Sequence, residues 1–536
     1  SLDKTIELPR QSLSLEEVIR ELKKQSSLHF SYSNKIPLSQ KIDFLEKKLT
    51  VTEILIRVIQ QTGINYQVKD DKVILAPPQK KHTISGYLRD AVSGESLIGG
   101  SIYTLPAFQG TTTNNYGYFS LTLPPDSVHL VISYTGYQTT NLKFLLTADT
   151  LIHVDQVSQM LGEIEITANS DHTPELTQMS AIDIPVQQLK NLPALAGEVD
   201  IMKSIQLLPG VQSGNEGSSG LYVRGGGPDQ NLILLDGVPV YNASHLFGFF
   251  SVFNADAINH VELIKGGFPA RYGGRLSSVI DINMKEGDKE NIKGEGSIGL
   301  IASRLTVEGP LKKDKASFIV SARRTYADLL ARPIIKKQTN GDVVGYYFYD
   351  LNTKFNYILS DRSRLYLSAY TGKDRGFAHT RHSYTDPDSG ERRKYDDEAD
   401  LNWGNITSAL RWNYVLAPNL FYNLTGTYST YKLNVFAENQ IRVVKGDGTL
   451  NTAKSRYLKS IYSSGIEDYA IKSDFDFTPS PRHYIKFGAY GIRHIFRPGA
   501  STVKSNLDSL KFYSGKIPAT EFGAYAEDDI VITPKI

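Results

Sequence analysis

The side chains best equipped for chemistry gather in one polar stretch, His379-Thr380-Arg381-His382 followed by Asp386, Asp388 and Asp396. Imidazoles and carboxylates are the donors that hold a divalent metal. The same stretch contains Asp386-Pro387-Asp388-Ser389-Gly390, whose residue types favour a tight turn, so an ordinary solvated extracellular loop is the better reading and the expectation adopted. No metal and no cofactor are expected. Gly225-Gly226-Gly227 invites a phosphate-loop assignment, but neither Lys-Ser nor Lys-Thr follows and no helical period opens there. With no nucleophile elbow, no paired metal-binding histidines at helical spacing and no cysteine, catalytic residues are not expected and neither is an enzyme. Three groups are left, and their chemistry is pairing and binding. They are the charges Arg224, Glu262 and Arg271 among glycines, the aromatic run His245-Leu246-Phe247-Gly248-Phe249-Phe250, and the β-favouring Leu161-Gly162-Glu163-Ile164-Glu165-Ile166-Thr167-Ala168.

The elements that must position them are bounded by composition. At 536 residues the chain exceeds the roughly 250–300 at which one core stops growing, so several domains are expected. The net charge of +2 and the lack of a basic stripe give no reason to expect a nucleic-acid partner. There is no apolar run of about 18 residues, so any membrane crossing is made by strands. The second half is rich in Tyr, Gly, Asn, Thr and Ser, a mixture suited to strands with one face in lipid and the other in water. Ser1 opens no secretory signal, which fits either a cytoplasmic protein or a chain whose signal has been removed. Absence of cysteine is compatible with an oxidising periplasm.

Residues 1–78 read as a small α/β domain. Ser14 with Glu17, and Thr50 with Glu53, each form a capping box ahead of an apolar stripe: Leu15, Val18, Ile19 and Leu22 in one helix, Ile54, Leu55, Val58 and Ile59 in the other. Gly63 ends the second helix. From His82 the helical period is lost, and segments such as Thr83–Leu88, Tyr118–Leu123 and Val128–Tyr134 read as strands broken by Gly and Pro turns. Leu232–Leu235 and Val261–Ile264 are short apolar strands of the kind shielded on both faces.

Beyond Glu290 amphipathic strands alternate: Tyr422, Leu424, Tyr428 and Thr430 against Phe421, Asn423, Thr425 and Ser429, and Tyr469 and Ile471 against Lys472 and Asp474. Short turns fall at Lys312–Lys315, Ser360–Ser363, Ala417–Asn419, Ser480–Arg482 and Thr533–Lys535. Longer polar connections are expected around 331–345, 376–400, 440–457 and 499–517. Such alternation of turn length marks an outer-membrane barrel, with the short turns in the periplasm.

These segments resemble known families. Residues 1–78 are similar to the secretin/TonB short N-terminal domain. Residues 82–160, with Ile84-Ser85-Gly86, Leu97-Ile98-Gly99-Gly100 and Gly117-Tyr118-Phe119, resemble the carboxypeptidase regulatory-like domain of Bacteroidetes outer-membrane receptors, a sandwich of about seven strands without a catalytic role. Residues 161–170 resemble a TonB box, although the last strand of the sandwich is an equal reading of the residues alone. Residues 171–288 carry Ile205-Gln206-Leu207-Leu208-Pro209-Gly210, Tyr222-Val223-Arg224-Gly225-Gly226, Leu235-Asp236-Gly237-Val238-Pro239, Val261-Glu262-Leu263-Ile264-Lys265-Gly266 and Ala270-Arg271-Tyr272-Gly273-Gly274 in the order of a TonB-dependent receptor plug.

The expected fold is therefore mainly β: a transmembrane antiparallel barrel with an internal α+β plug, preceded by a small α/β domain and a β-sandwich. About ten strands are legible in 291–536 against about twenty-two in the resembled barrels, so the sequence is expected to be an incomplete receptor. The resemblance implies TonB-dependent import across the outer membrane, with the N-terminal domains in the periplasm. Leu161, Glu163, Ile164, Ile166 and Thr167 would bind TonB. Arg224, Glu262 and Arg271 would either pair with the barrel wall or sit in water. His245, Phe247 and Phe249 would either face the unknown ligand at the plug apex or be buried against the wall. An anti-sigma regulator reached through residues 1–78, a surface lipoprotein and outer-membrane lipid are further expected partners. The alternative is a structural or accessory subunit that transports nothing. The joints at Pro77–Lys81 and Asn169–Pro174 suggest hinged periplasmic domains.

Overall fold

The structure, a computed structural model, describes residues 3–44, 46–69, 71–77, 81–105, 109–158, 181–186, 198–213, 220–299, 301–339, 341–480, 482–506, 509–513 and 515–531. It divides into two compact units. The first comprises Ser1–Thr83 with Thr122–Val128 and Lys143–Thr150. The second holds the rest.

In the first unit, helix α1 (Leu15–Gln25) starts at Ser14, whose side chain and Glu17 complete a capping box, and helix α2 (Val51–Thr62) repeats the device with Thr50 and Glu53. Gly63 closes α2 with φ 69, a left-handed conformation that glycine adopts without penalty. The stripes Leu15, Val18, Ile19, Leu22 and Ile54, Leu55, Val58 bury against Ile6, Leu13, Ile42 and Val73 from the short strands. Two of those strands, Ser12–Ser14 and Lys48–Thr50, run directly into the helix caps and were hidden by them in the sequence.

The sandwich has a four-stranded sheet, Gly110–Thr112, Ser101–Leu105, Ser127–Ser133 and Thr140–Leu145, and a three-stranded one, Tyr118–Leu123, His82–Asp90 and Thr150–Gln156. Its strands are shared between the two units.

The second unit is dominated by an antiparallel sheet of 11 strands from Lys293–Ile298 to Ile517–Ile530. Ser509–Tyr513 and Ile517–Ile530 pair along successive lengths of His483–Ser505, so the segments make about ten rows. This sheet is the barrel wall. Along Val343–Ser360 the alternation is plain: Asp350, Asn352, Lys354 and Asn356 are buried on one face, while Leu351, Phe355 and Tyr357 are exposed on the other. Turns 313–315, 361–362 and 418–419 fall where the sequence places them.

The long connections do not. Ser363–Thr385 and Arg392–Ala417 continue as paired strands through most of 376–400, which leaves only 386–391 as the turn, and Leu420–Val444 and Arg456–Ser480 trim the next connection in the same way. These extensions are polar on one or both faces and so lack the apolar alternation by which strands are read; backbone pairing, Arg375–Asp400 and His379–Asp396 hold them instead. Residues 331–338 belong to a helix, Ala327–Gln338, that carries Pro333 within it.

Candidate functional site

The plug forms a five-stranded sheet in the order Ala181–Pro185, Ile258–Ile264, Ser278–Met284, Asn231–Leu235 and Val238–Pro239. Every residue of Ser278–Met284 is buried, as a strand covered on both faces requires. Asp236 and Gly237, both at positive φ, make the tight hairpin between two of the strands. A short helix, Ile201–Gln206, capped by Asp200, adds Ile201, Met202 and Ile205 to the same core.

The seam between plug and wall is built from hydrogen bonds and charges. His245 is buried with Nε2 2.8 Å from Asp350 Oδ1 and Nδ1 2.6 Å from Asp374 Oδ2, an arrangement in which only the doubly protonated ring donates to both. Asp350 also accepts from Arg323 Nε at 2.8 Å and Nη2 at 2.6 Å, and from the Tyr370 hydroxyl at 2.9 Å. Asp374 accepts from the Tyr346 hydroxyl and, at 3.1 Å, from the Leu246 N–H. Further along, Lys354 Nζ lies 3.2 Å from Asp236 and donates to Met284 O at 2.8 Å, and Arg411 Nη2 donates to Asp236 O at 2.7 Å. Tyr241 donates to Asp468, and Asn405 Nδ2 donates to Asn242 O at 2.6 Å.

Burial pulls the His245 imidazole down, but Asp350 and Asp374 outweigh it and hold its pKa above the ordinary value. The sign follows directly. The raised group contributes its full stabilisation below the unfolded value near 6.5 and loses it as pH rises through the higher folded value. Protease protection of the plug is therefore expected to be greatest below about 6.5 and to weaken as pH rises above it through the raised value. His245→Gln should flatten that part of the profile; an unchanged slope would remove His245 as its source.

The residues singled out in the sequence separate in space. His245, placed on a ligand-facing apex, is instead buried against the wall, because two wall carboxylates claim both ring nitrogens. Phe247 and Phe249 are exposed at 71% and 48%, and Phe247 lies with its ring centroid 5.0 Å from that of Trp403. Arg271 meets wall residue Glu527 at 2.9 Å. Glu262 lies in the plug near Arg271; burial raises its pKa and Arg271 partly restores the charge. Arg224, for which wall pairing and a solvated position were both open, is an exposed residue among plug glycines: its φ is 48, its N–H donates to Gly210 O at 3.0 Å, and its side chain passes Gly210 and Gly266. Leu161, Glu163, Ile164, Ile166 and Thr167 lie outside the described residues. His379 and Arg381 both turn to Asp396, at 2.6 and 3.4 Å, on the paired extensions described above.

Asp350, Asp374, Arg323 and Lys354 were missed in the sequence. Their signal was a charge at every second or fourth position of a strand whose other face is apolar, as in Phe348, Asp350, Asn352, Lys354 and Asn356. That pattern identifies the plug-facing side of the wall.

Comparison with known proteins agrees with this architecture. Residues 175–279 match the TonB-dependent Receptor Plug Domain, and residues 84–166 match the CarboxypepD_reg-like domain. The chain is 27% identical over 300 residues to the vitamin B12 transporter BtuB of Vibrio vulnificus (strain CMCP6), a match that covers 52% of this chain and 46% of the relative. It is 31% identical over 109 residues to the ferrienterobactin receptor of Escherichia coli (strain K12), covering 17% of this chain and 15% of that one. The chain thus spans less than half the length of these relatives. Among solved structures, the ferripyoverdine receptor of the outer membrane of Pseudomonas aeruginosa aligns with 96% of this chain and 68% of its own, at 11% identity and a TM-score of 0.32. The relatives are transporters and receptors, not enzymes. The chain is related to the TonB-dependent receptors of the outer membrane and carries their plug domain and a CarboxypepD_reg-like domain, with its N-terminal domains on the periplasmic side.

Proposed function

We propose that this chain acts as a TonB-dependent importer and has no enzymatic activity. The observation that carries the reading is the character of the plug–wall seam: charged and hydrogen-bonded, with two exposed aromatic rings at one end. A polar seam can exchange its bonds for water when the plug is drawn away, whereas an apolar one of similar extent would oppose that movement throughout. Ligand is captured over Phe247 and Phe249. TonB pairs with Leu161–Ala168 by strand addition, in which main-chain hydrogen bonds supply the strength. The cargo belongs to the class named for the relatives, vitamin B12 or an iron–siderophore complex. A surface lipoprotein that delivers it, and the assignment to the Bacteroidetes type, rest on the sequence resemblance.

Ile164→Pro is expected to abolish uptake of radiolabelled cyanocobalamin or ferric enterobactin, whichever the wild type imports, without lowering barrel abundance. Proline removes a donor and disfavours a paired strand. Normal uptake by that variant would count decisively against the box. Signalling to an anti-sigma regulator is the second half of the proposal, supported by an N-terminal domain with a core of its own. Immobilised residues 1–78 should retain a periplasmic or inner-membrane regulator from extracts, and failure to retain one removes the signalling half alone.

A further inference from the structure

The short turns of the wall mark its periplasmic end, and the sandwich is fastened to two of them. The Tyr118 hydroxyl donates to Pro418 O at 2.8 Å and Ser120 Oγ to the same oxygen at 3.0 Å. The Tyr118 ring stacks on Phe421 with centroids 4.7 Å apart. Beside the neighbouring turn the Arg364 guanidinium lies 3.3 Å from the centroid of the Tyr87 ring. Asn114 Nδ2 reaches a third strand, at 3.0 Å from Asp476 Oδ2. These contacts replace the hinge that the linker composition suggested for this domain.

The stretch leading from the plug into the wall is tied to the sandwich as well. Lys289, fully buried, sends Nζ to Gly94 O and its own N–H to Ser93 O, both at 2.7 Å. Glu95 Oε1 accepts the Glu286 N–H at 2.9 Å. Between sandwich, plug and wall lies a cavity of about 630 Å³. Plug residues Glu262 and Arg271 and wall residues Lys472 and Asp474 face it, and sandwich residues 112–116 form its remaining side. The sandwich is therefore the periplasmic floor of a charged chamber beneath the plug.

We propose that the sandwich is the periplasmic gate of this passage: docked, it floors the chamber, and cargo leaves only when it undocks. The inference rests on the import reading for the direction of travel, while the docking it invokes can be tested separately. Its contacts suit a gate. They are hydrogen bonds given mostly by side chains, two cation–ring contacts, Arg364 on Tyr87 and Arg411 on Tyr116, and a small cluster of rings, polar enough to part without exposing a large apolar face. The stretch assigned to TonB lies in sequence between Gln156, which ends the sandwich, and Ala181, which opens the plug, so tension applied there loads both.

The test places a reporter, Lys472→Cys, in the chamber, in a receptor with any cysteine outside these 536 residues replaced by serine. In outer membranes opened to the periplasmic side, its reaction with a bulky polyethylene-glycol maleimide is expected to be slow. Adding Tyr118→Ala and Arg364→Ala should raise the rate by about tenfold or more, because local opening sets access. Removing residues 82–157 should raise it as far, whatever the point variants do to the sandwich itself. Equal rates with and without the sandwich, in protein that keeps its folded mobility on unheated gels, would overturn the gate. Accelerated labelling in a receptor that imports neither cyanocobalamin nor ferric enterobactin would preserve the floor and refute the import reading of these cargoes.

Discussion

Replacing Asp350 with Ala is expected to detach the plug from the wall at a cost of about 3–5 kcal/mol, the range for stranding one partner of a buried charge pair. The carboxylate is fully buried and accepts from His245, twice from Arg323, and from Tyr370. Its loss leaves an imidazolium and a guanidinium facing one another without their shared anion. Arg323 keeps its contact with Ser251 O at 2.7 Å, and Glu198 lies 3.8 Å away, so some of the charge is still answered. Asp350→Asn should fall between, since an amide keeps one acceptor and the volume. Protease digestion of the plug in native membranes, with the wall followed by its heat-dependent gel mobility, separates detachment from misfolding. A plug that stays protected in Asp350→Ala would show that this clamp is dispensable.

The second large effect is expected at Gly287, between the last plug strand and the first wall strand. Its φ is +84, and a Cβ there would stand 2.3 Å from Phe318 O, a main-chain atom of the paired strand Ala316–Thr325. The left-handed conformation costs about 1–2 kcal/mol in an L-residue, and forcing apart a packed backbone adds about 1–3 kcal/mol. Gly287→Ala should therefore lose roughly 2–5 kcal/mol and most of the folded, heat-resistant form. Gly210→Ala supplies the comparison. It shares a positive φ of +78, but the nearest atom to its Cβ is Arg224 Cγ at 3.9 Å, so only the conformational part applies. Equal losses at the two sites would exclude close approach as the cause.

How much of this could be read beforehand depended on whether the cause was local. Capping boxes at Ser14 and Thr50, the Gly63 terminus and the turns near 361 and 418 are set by residues within a few positions of one another, and the structure has them where the residues indicate. The clamp on His245 is different. Asp350 and Asp374 lie 105 and 129 positions away, and only the register between Val343–Ser360 and Ser363–Thr385 brings their carboxylates to one ring. The aromatic character of 245–250 left an apex and a buried position both open; Phe247 and Phe249 are exposed, and the histidine is taken by the wall because a polar ring amid charged strands finds partners there. The docked sandwich escaped for a related reason. Pro77, Pro78 and the polar residues after 168 describe linkers, which are silent about surfaces that meet elsewhere.

The strands Ser363–Thr385, Arg392–Ala417 and Leu420–Val444 run 23, 26 and 25 residues. Lipid needs only about 9–11 residues of a tilted strand. At about 3.4 Å per residue the excess is roughly 45 Å of ribbon, and after tilt some 30 Å of height above the hydrocarbon. A particle reaching the cell therefore touches this collar before it touches the membrane, and an epitope inserted at Ser389, in the turn 386–391, would be displayed to antibodies on living cells at a distance from both the seam and the chamber.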